Sequence, residues 1–161
     1  MKRFISNVLT LCFICYMILL VYFLFFSEEY GRTEQYETYK YNFELGKEIK
    51  RYWNNREQIG ILLFVINIIG NVAVFMPFGF LVPVMYREQR KDVIFRGHYF
   101  RSFLFVTFLG FLFSLGVETV QLVTKVGCFD VVDLLLNTSG FVLGYIIFFI
   151  CKKIIGVFGK R

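Results

Sequence analysis

The chain has 161 residues, of which 57% are hydrophobic, 20% aromatic and only 19% charged, with a mean hydropathy of +0.61. Soluble domains run at about 45–50% apolar and about 25% charged, so this balance excludes an ordinary water-soluble domain; two prolines and no Gly/Ser tract exclude a low-complexity chain. The formal net charge of +6 hints at nucleic acid only until the charges are located, because they avoid four long blocks.

Ile5–Phe26 is 22 residues without a charge. About 20 apolar residues cross a bilayer as a helix. In lipid the backbone must satisfy its own hydrogen bonds. The block therefore predicts a transmembrane helix at 5–26. Met1-Lys2-Arg3 before an apolar run also resembles the start of a signal peptide. The run is longer than a usual apolar region of that kind, and Phe25-Phe26-Ser27-Glu28-Glu29 offers no small-residue cleavage site, so an uncleaved helix is expected.

Residues 27–58 form a long, tyrosine-rich outer loop holding the single Trp53. Within it Phe43, Leu45, Ile49, Tyr52 and Trp53 can share one helical face, with Glu44, Lys47, Glu48, Lys50 and Arg51 on the other. That pattern predicts a short interfacial amphipathic helix, with its aromatics at headgroup depth. It is either a plain anchor or a lid over an outward-facing site. Ile59–Tyr86 has no charge over 28 residues and predicts the second helix at 59–86. Pro77 inside it is expected to bend the helix or free a carbonyl. A short inner loop, Arg87–Arg101, leads to the third helix at 102–124, whose one charge is Glu118. A tight outer turn, Lys125–Asp130, follows, with Gly127 suited to a positive φ. The fourth helix is expected at 131–151. The fold class is thus all-α: an integral membrane bundle of four transmembrane helices forming one membrane domain over 1–161.

Orientation follows from Lys and Arg in the short connections. With the N-terminus inside, the inner segments hold 11 basic residues and the outer ones 7, and the outer loop also carries seven Glu. Both termini are therefore expected in the cytoplasm. The basic character serves topology and contact with anionic membrane lipid. Nucleic-acid binding is not expected, because no length remains for a groove-reading element. Cys12, Cys15, Cys128 and Cys151 are not spaced as a zinc site. They read as small buried apolar residues in the helices, plus one outer thiol. His98 lies in the basic inner loop. No metal site, phosphate loop, nucleophile elbow or cofactor motif is present in the pattern.

Polar residues inside the spans carry the information, because a charge at a helix centre costs roughly 2.5–3.5 kcal/mol on insertion scales and such residues usually face the bundle interior. Ser114, Glu118 and Gln121 share one face of the third helix, Asp130, Asp133 and Asn137 one face of the fourth, and Asn67 and Asn71 one face of the second. At 1.5 Å per residue Asn71 lies about 18 Å in from the outside, and Glu118 about 24 Å along a helix entered from the inside. The acids and amides therefore converge on the outer half of the membrane. Gly140 and Gly144 form a small-residue face that admits a neighbouring helix, and Gly110 and Gly116 are expected to act similarly.

Two stretches carry a family resemblance. Asn71-Val-Ala-Val-Phe75-Met-Pro77-Phe78-Gly79 resembles the N-x-x-x-F-x-P-F-G signature of the VanZ-like family. Glu118-Thr-Val-Gln121, then Asp130-Val-Val-Asp133-Leu-Leu-Leu-Asn137-Thr-Ser-Gly140-Phe-Val-Leu-Gly144, resembles its second signature, E-x-x-Q followed by D-x-x-D-x-x-x-N-x-x-G-x-x-x-G. Order, spacing and helix layout agree. Asn42-Phe43 with Ile49 and Tyr52 loosely resembles the family's stretch before the second helix. Two departures stand out. Glu44 replaces a proline common in that stretch, and Gly127 and Cys128 stand where many members have a basic residue, which leaves Lys125 as the nearest cationic partner for the carboxylates.

The resemblance implies a protein of the bacterial cytoplasmic membrane. The family's founding member is associated with low-level resistance to teicoplanin, a lipid-tailed glycopeptide. Three functions are then expected in order. The first is binding of the lipoglycopeptide or a lipid-linked wall precursor by Asn71, Glu118, Gln121, Asp130, Asp133 and Asn137, without catalysis or cofactor. The second is an intramembrane enzyme on an outer-leaflet lipid-linked substrate, with Glu118, Asp130 and Asp133 as catalytic candidates. The third is a scaffold whose polar core only holds the helices. The charge pattern makes a direct prediction: a reporter fused after Arg161 is expected to be active on the cytoplasmic side, and activity outside the cell reverses the topology.

Overall fold

The computed structural model describes residues 2–26, 36–46, 50, 54, 61–88 and 99–158. In chain order the elements are α1 (Lys2–Phe25), β1 (Tyr41–Asn42), α2 (Ile61–Glu88), α3 (Tyr99–Thr124), β2 (Phe129–Asp130) and α4 (Val131–Phe158). Each helix contains a stretch long and apolar enough to cross a membrane: Asn7–Phe25, Ile68–Met85, Ser102–Thr124 and Val131–Ile154. The chain is an all-α membrane bundle of four spans.

The observed helices outrun the charge-free blocks at one end. Lys2 and Arg3, Arg87 and Glu88, Arg101, and Lys152 and Lys153 are all helical, and chain direction puts all of them at the same end of the bundle. A charge ends the lipid-compatible segment, but it does not end the backbone ladder. Residues 36–46 and the α3–α4 turn lie at the other end. The expected amphipathic helix over 43–53 falls largely outside the described residues. Phe43 and Glu44 are irregular, Leu45 and Gly46 form a turn, and the Lys50 amide donates to the Gly46 carbonyl at 2.9 Å.

Helix α4 is the hub. It packs along α2 and α3, while α1 leans on α2 from outside. Lipid tails are as apolar as the side chains, so helices associate through close packing rather than exclusion from water. Glycine makes that packing possible. A Cβ on Gly140 would overlap the Val72 carbonyl, one on Gly144 the Met76 carbonyl, and one on Gly79 the Phe141 carbonyl. Backbone thus meets backbone between α2 and α4. Gly110 on α3 leaves room for the Phe141 ring, whose Cγ would lie 2.5 Å from an added Cβ. Gly116 does not share this role: an added Cβ there meets nothing within 4 Å, because it sits on the exposed side of α3.

Into the space made by the glycines fits a cluster of rings. Phe78 lies 4.7 Å from Phe141 and 4.8 Å from Phe113, and Phe75 lies 5.8 Å from Phe141. Phe75 and Phe141 are fully buried. Helix α1 joins through Leu20 and through Phe13, whose ring is 5.5 Å from Phe78. Tyr16, Met17, Leu24 and Phe25 pack half-buried beside them, while the opposite face of α1 is exposed and carries Cys12 and Cys15. Those two thiols therefore lie on the outer surface of a peripheral helix rather than buried, as helical small residues usually are.

Helix α2 runs unbroken through Pro77 and Pro83. Pro77 has no N–H for the Ala73 carbonyl one turn back. At the next position the Tyr16 hydroxyl of α1 donates to the Val74 carbonyl at 2.8 Å. A hydroxyl from a neighbouring helix thus serves the turn that proline weakens.

The two-residue strands were not expected. β1 pairs in parallel with β2, with Tyr41 opposite Phe129 and Asn42 opposite Asp130. Around this ribbon the Phe129 amide donates to the Lys40 carbonyl at 3.0 Å, and the Tyr36 amide to the Lys125 carbonyl at 2.9 Å. The first loop is thereby fastened to the α3–α4 turn.

The glycine contacts predict a contrast in sign. Gly79→Ala and Gly144→Ala are each expected to lower stability in detergent by about 1–3 kcal/mol, as overpacking does. Gly70→Ala has open space around it and is expected to be neutral or stabilising by up to about 1 kcal/mol through helix propensity. Thermal denaturation of the three variants checks both signs.

Candidate functional site

The N-terminus of α4 organises the polar residues. The first turn of any helix has four N–H groups without helical partners and carries a partial positive charge. Here that turn begins directly after β2. Asp130 is its cap: Oδ1 accepts from the Val132 amide at 2.7 Å. The Asp130 amide itself donates to Glu118 Oε2 on α3 at 3.0 Å. In a capping box the acid three residues into the helix would take that amide. Glu118 takes it instead from a neighbouring helix, and Asp133, at the third position, turns to α2. Its Oδ1 accepts from Asn71 Nδ2 at 2.6 Å. Three carboxylates therefore collect at one helix end because its dipole and orphan amides favour negative charge.

The amides complete the arrangement. Asn42 on β1 donates through Nδ2 to Asp130 Oδ2 at 2.8 Å, and its Oδ1 accepts the Glu44 amide at 3.2 Å. Asn137, one turn beyond Asp133, donates through Nδ2 to Ser114 Oγ at 3.1 Å. Its Oδ1 is buried without a partner, as is Thr107 Oγ1 elsewhere on α3, among the described residues. Gln121 Nε2 donates to the Leu24 carbonyl at the last turn of α1, at 3.0 Å. That carbonyl is one of the four a helix end leaves open.

Exposure divides the cluster. Glu118, Gln121, Asp130 and Asn137 are buried, with Glu118 only 2% exposed. Asn71 and Asp133 are half-buried. The Asn71–Asp133 pair is thus its accessible part. Among the described residues no three His, Cys, Asp or Glu side chains are grouped to hold a metal ion.

A family model described as VanZ/LLP1 matches residues 13–152. The chain belongs to this family. No curated protein and no solved structure matches it. In this VanZ/LLP1 chain the two motifs divide into polar and packing positions. Asn71, Glu118, Gln121, Asp130, Asp133 and Asn137 carry the hydrogen bonds just described. Phe75, Phe78, Gly79, Gly140 and Gly144 form the α2–α4 contact, and Pro77 lies on the exposed side of α2.

Other positions depart from the expectation. Lys125 does not reach the carboxylates: its Nζ donates to the Glu37 carbonyl at 3.0 Å and lies 5.1 Å from the Tyr39 ring centroid. It also carries the left-handed conformation of the turn, at φ 58°, where its amide bonds back to the Leu122 carbonyl at 3.1 Å. The side chain of Asn67 lies outside the described residues. Asn42 is a partner that helix periodicity could not reveal, because it reaches the site from a loop. Its sequence signal was its place in the loosely matching stretch before α2. The D-x-x-D spacing as a helix cap was a second available signal.

The double use of Asp130 makes it testable. Asp130→Ala removes a cap, worth about 1 kcal/mol, and strands the buried Asn42 amide, costing about 1–3 kcal/mol more. Asp130→Asn keeps a capping oxygen and is expected to lose less. Thermal unfolding in detergent ranks the two, and equal losses would show that the cap contributes little.

Proposed function

We propose that this VanZ/LLP1 protein sits in the bacterial cytoplasmic membrane with both termini inside. There its acid and amide cluster binds the polar head of a teicoplanin-type lipoglycopeptide, or of a lipid-linked wall precursor, at the outer face, and so contributes to glycopeptide resistance. The observation that carries this reading is the half-buried Asn71–Asp133 pair at the accessible edge of an otherwise buried polar cluster. The excess of Lys and Arg in the inner segments supports the orientation. The cluster contains carboxylates, amides and the Ser114 hydroxyl, and the chain's single histidine lies far away in sequence. This inventory suits recognition of amide- and hydroxyl-rich groups better than covalent catalysis, which needs a nucleophile and a base. An acyl tail could lie along the exposed apolar helix faces while the head meets the acids. The first loop, tied to the α3–α4 turn, would close over that head.

A scaffolding reading has its own support. Glu118 and Asp130 are both engaged with the α4 N-terminus, a structural duty that needs no ligand. Asp133→Asn separates the two readings, in a strain where deletion of the whole protein raises teicoplanin sensitivity. Binding through the cluster predicts sensitivity equal to the deletion at normal protein abundance. Unchanged sensitivity leaves the scaffold. Accumulation of an unprocessed lipid-linked species, seen by mass spectrometry, replaces both with the enzyme.

A further inference from the structure

The β1–β2 ribbon has its faces reversed. Successive residues of a strand point to opposite sides. In a water-soluble protein the apolar side turns inward. Here the inward side is polar: Asn42 and Asp130 are 5% and 8% exposed and hydrogen-bonded to each other. The outward side is aromatic: Tyr41 and Phe43 are 63% and 65% exposed. Their rings lie 5.5 Å apart, and Phe43 is 5.8 Å from the half-buried Phe129. Tyr39 and Leu45, on the same segment, are likewise exposed. In water such a patch would be costly, and contiguous exposed apolar surface marks an interaction site.

The position of the patch selects the partner. Phe129 stands two residues before Val131, where the apolar span of α4 begins. At about 3.3 Å per extended residue that is roughly 7 Å from the span, about the thickness of the headgroup layer on one side of a bilayer. On the helices that flank the turn, Val123 near the end of α3 and Leu135 in the second turn of α4 are exposed as well. Two cations stand at its rim. Lys40 Nζ lies 3.4 Å from the Tyr36 ring centroid, and Lys125 Nζ lies 5.1 Å from that of Tyr39. Aromatic rings flanked by lysine match the boundary between acyl chains and phosphate headgroups.

We propose that the ribbon is a membrane-inserted foot, with Tyr41, Phe43 and Phe129 seated in the headgroup–acyl boundary of the bilayer. Its inward face grips the α4 N-terminus through Asn42 and Asp130. The bilayer surface is then mechanically linked to the cap of α4, whatever ligand the cluster binds.

The test uses the full chain in phosphatidylcholine–phosphatidylglycerol vesicles at high lipid-to-protein ratio. Trp53→Phe removes the native tryptophan, and Phe43→Trp places one on the ribbon; Tyr41→Trp is the replacement should the first variant not fold. The expected result is blue-shifted emission, loss of most of its intensity when part of the phosphatidylcholine is brominated near the top of its chains, and protection from aqueous acrylamide. Quenching by acrylamide and not by brominated lipid places the patch in water and overturns the proposal. Protection from both quenchers means that protein covers the patch, and overturns it equally.

Discussion

The contact on which the bundle depends is backbone against backbone between α2 and α4. Gly79, Gly140 and Gly144 each stand where a single methyl group would strike a carbonyl of the opposite helix. In lipid there is no water to squeeze out between helices, so the depth of van der Waals contact sets the association. The contact also sets register. With Val72 against Gly140 and Met76 against Gly144, the two helices have little freedom to slide, and Asn71 is held within 2.6 Å of Asp133. The packing glycines and the polar pair thus form one unit.

The carboxylates show how a structural demand and a functional opportunity can share residues. Helix α4 begins in the polar cluster rather than in bulk water. Its orphan amides need acceptors, and Asp130 and Glu118 supply them. That duty explains why two of the acids are buried. It leaves Asp133 with a partner on another helix and with access to the surroundings.

The periphery follows a different logic. Among the described residues helix α1 is attached through Leu20 and the half-buried Phe13, Tyr16, Met17, Leu24 and Phe25 side chains, and through two hydrogen bonds, at the Tyr16 hydroxyl and the Leu24 carbonyl. The two hydrogen bonds meet specific needs of its neighbours, at the proline-weakened turn of α2 and at Gln121. The ribbon is likewise held by its polar side and turns its rings outward. Among the described residues, then, polar groups are collected inside beside the packed rings, while much of the outward helix surface is apolar. This is the inversion a lipid solvent requires.

Sequence alone determined the four spans, because their signal is compositional: a run without charge must be helical in lipid wherever it sits. It also grouped Glu118 with Gln121 and Asp133 with Asn137, because a period of 3.6 residues puts them on shared faces whatever the helices pack against. It foresaw that Gly140 and Gly144 would admit another helix. Which helix, and which glycine would not serve, only the tertiary structure decided: Gly110 lies beneath Phe141, while Gly116 faces outward. Tertiary structure also recruited Asn42 from a loop, turned Lys125 away from the acids, and paired β1 with β2. A two-residue ladder and a loop amide have no periodicity of their own. Their positions come from chain segments far apart in sequence meeting at one helix end.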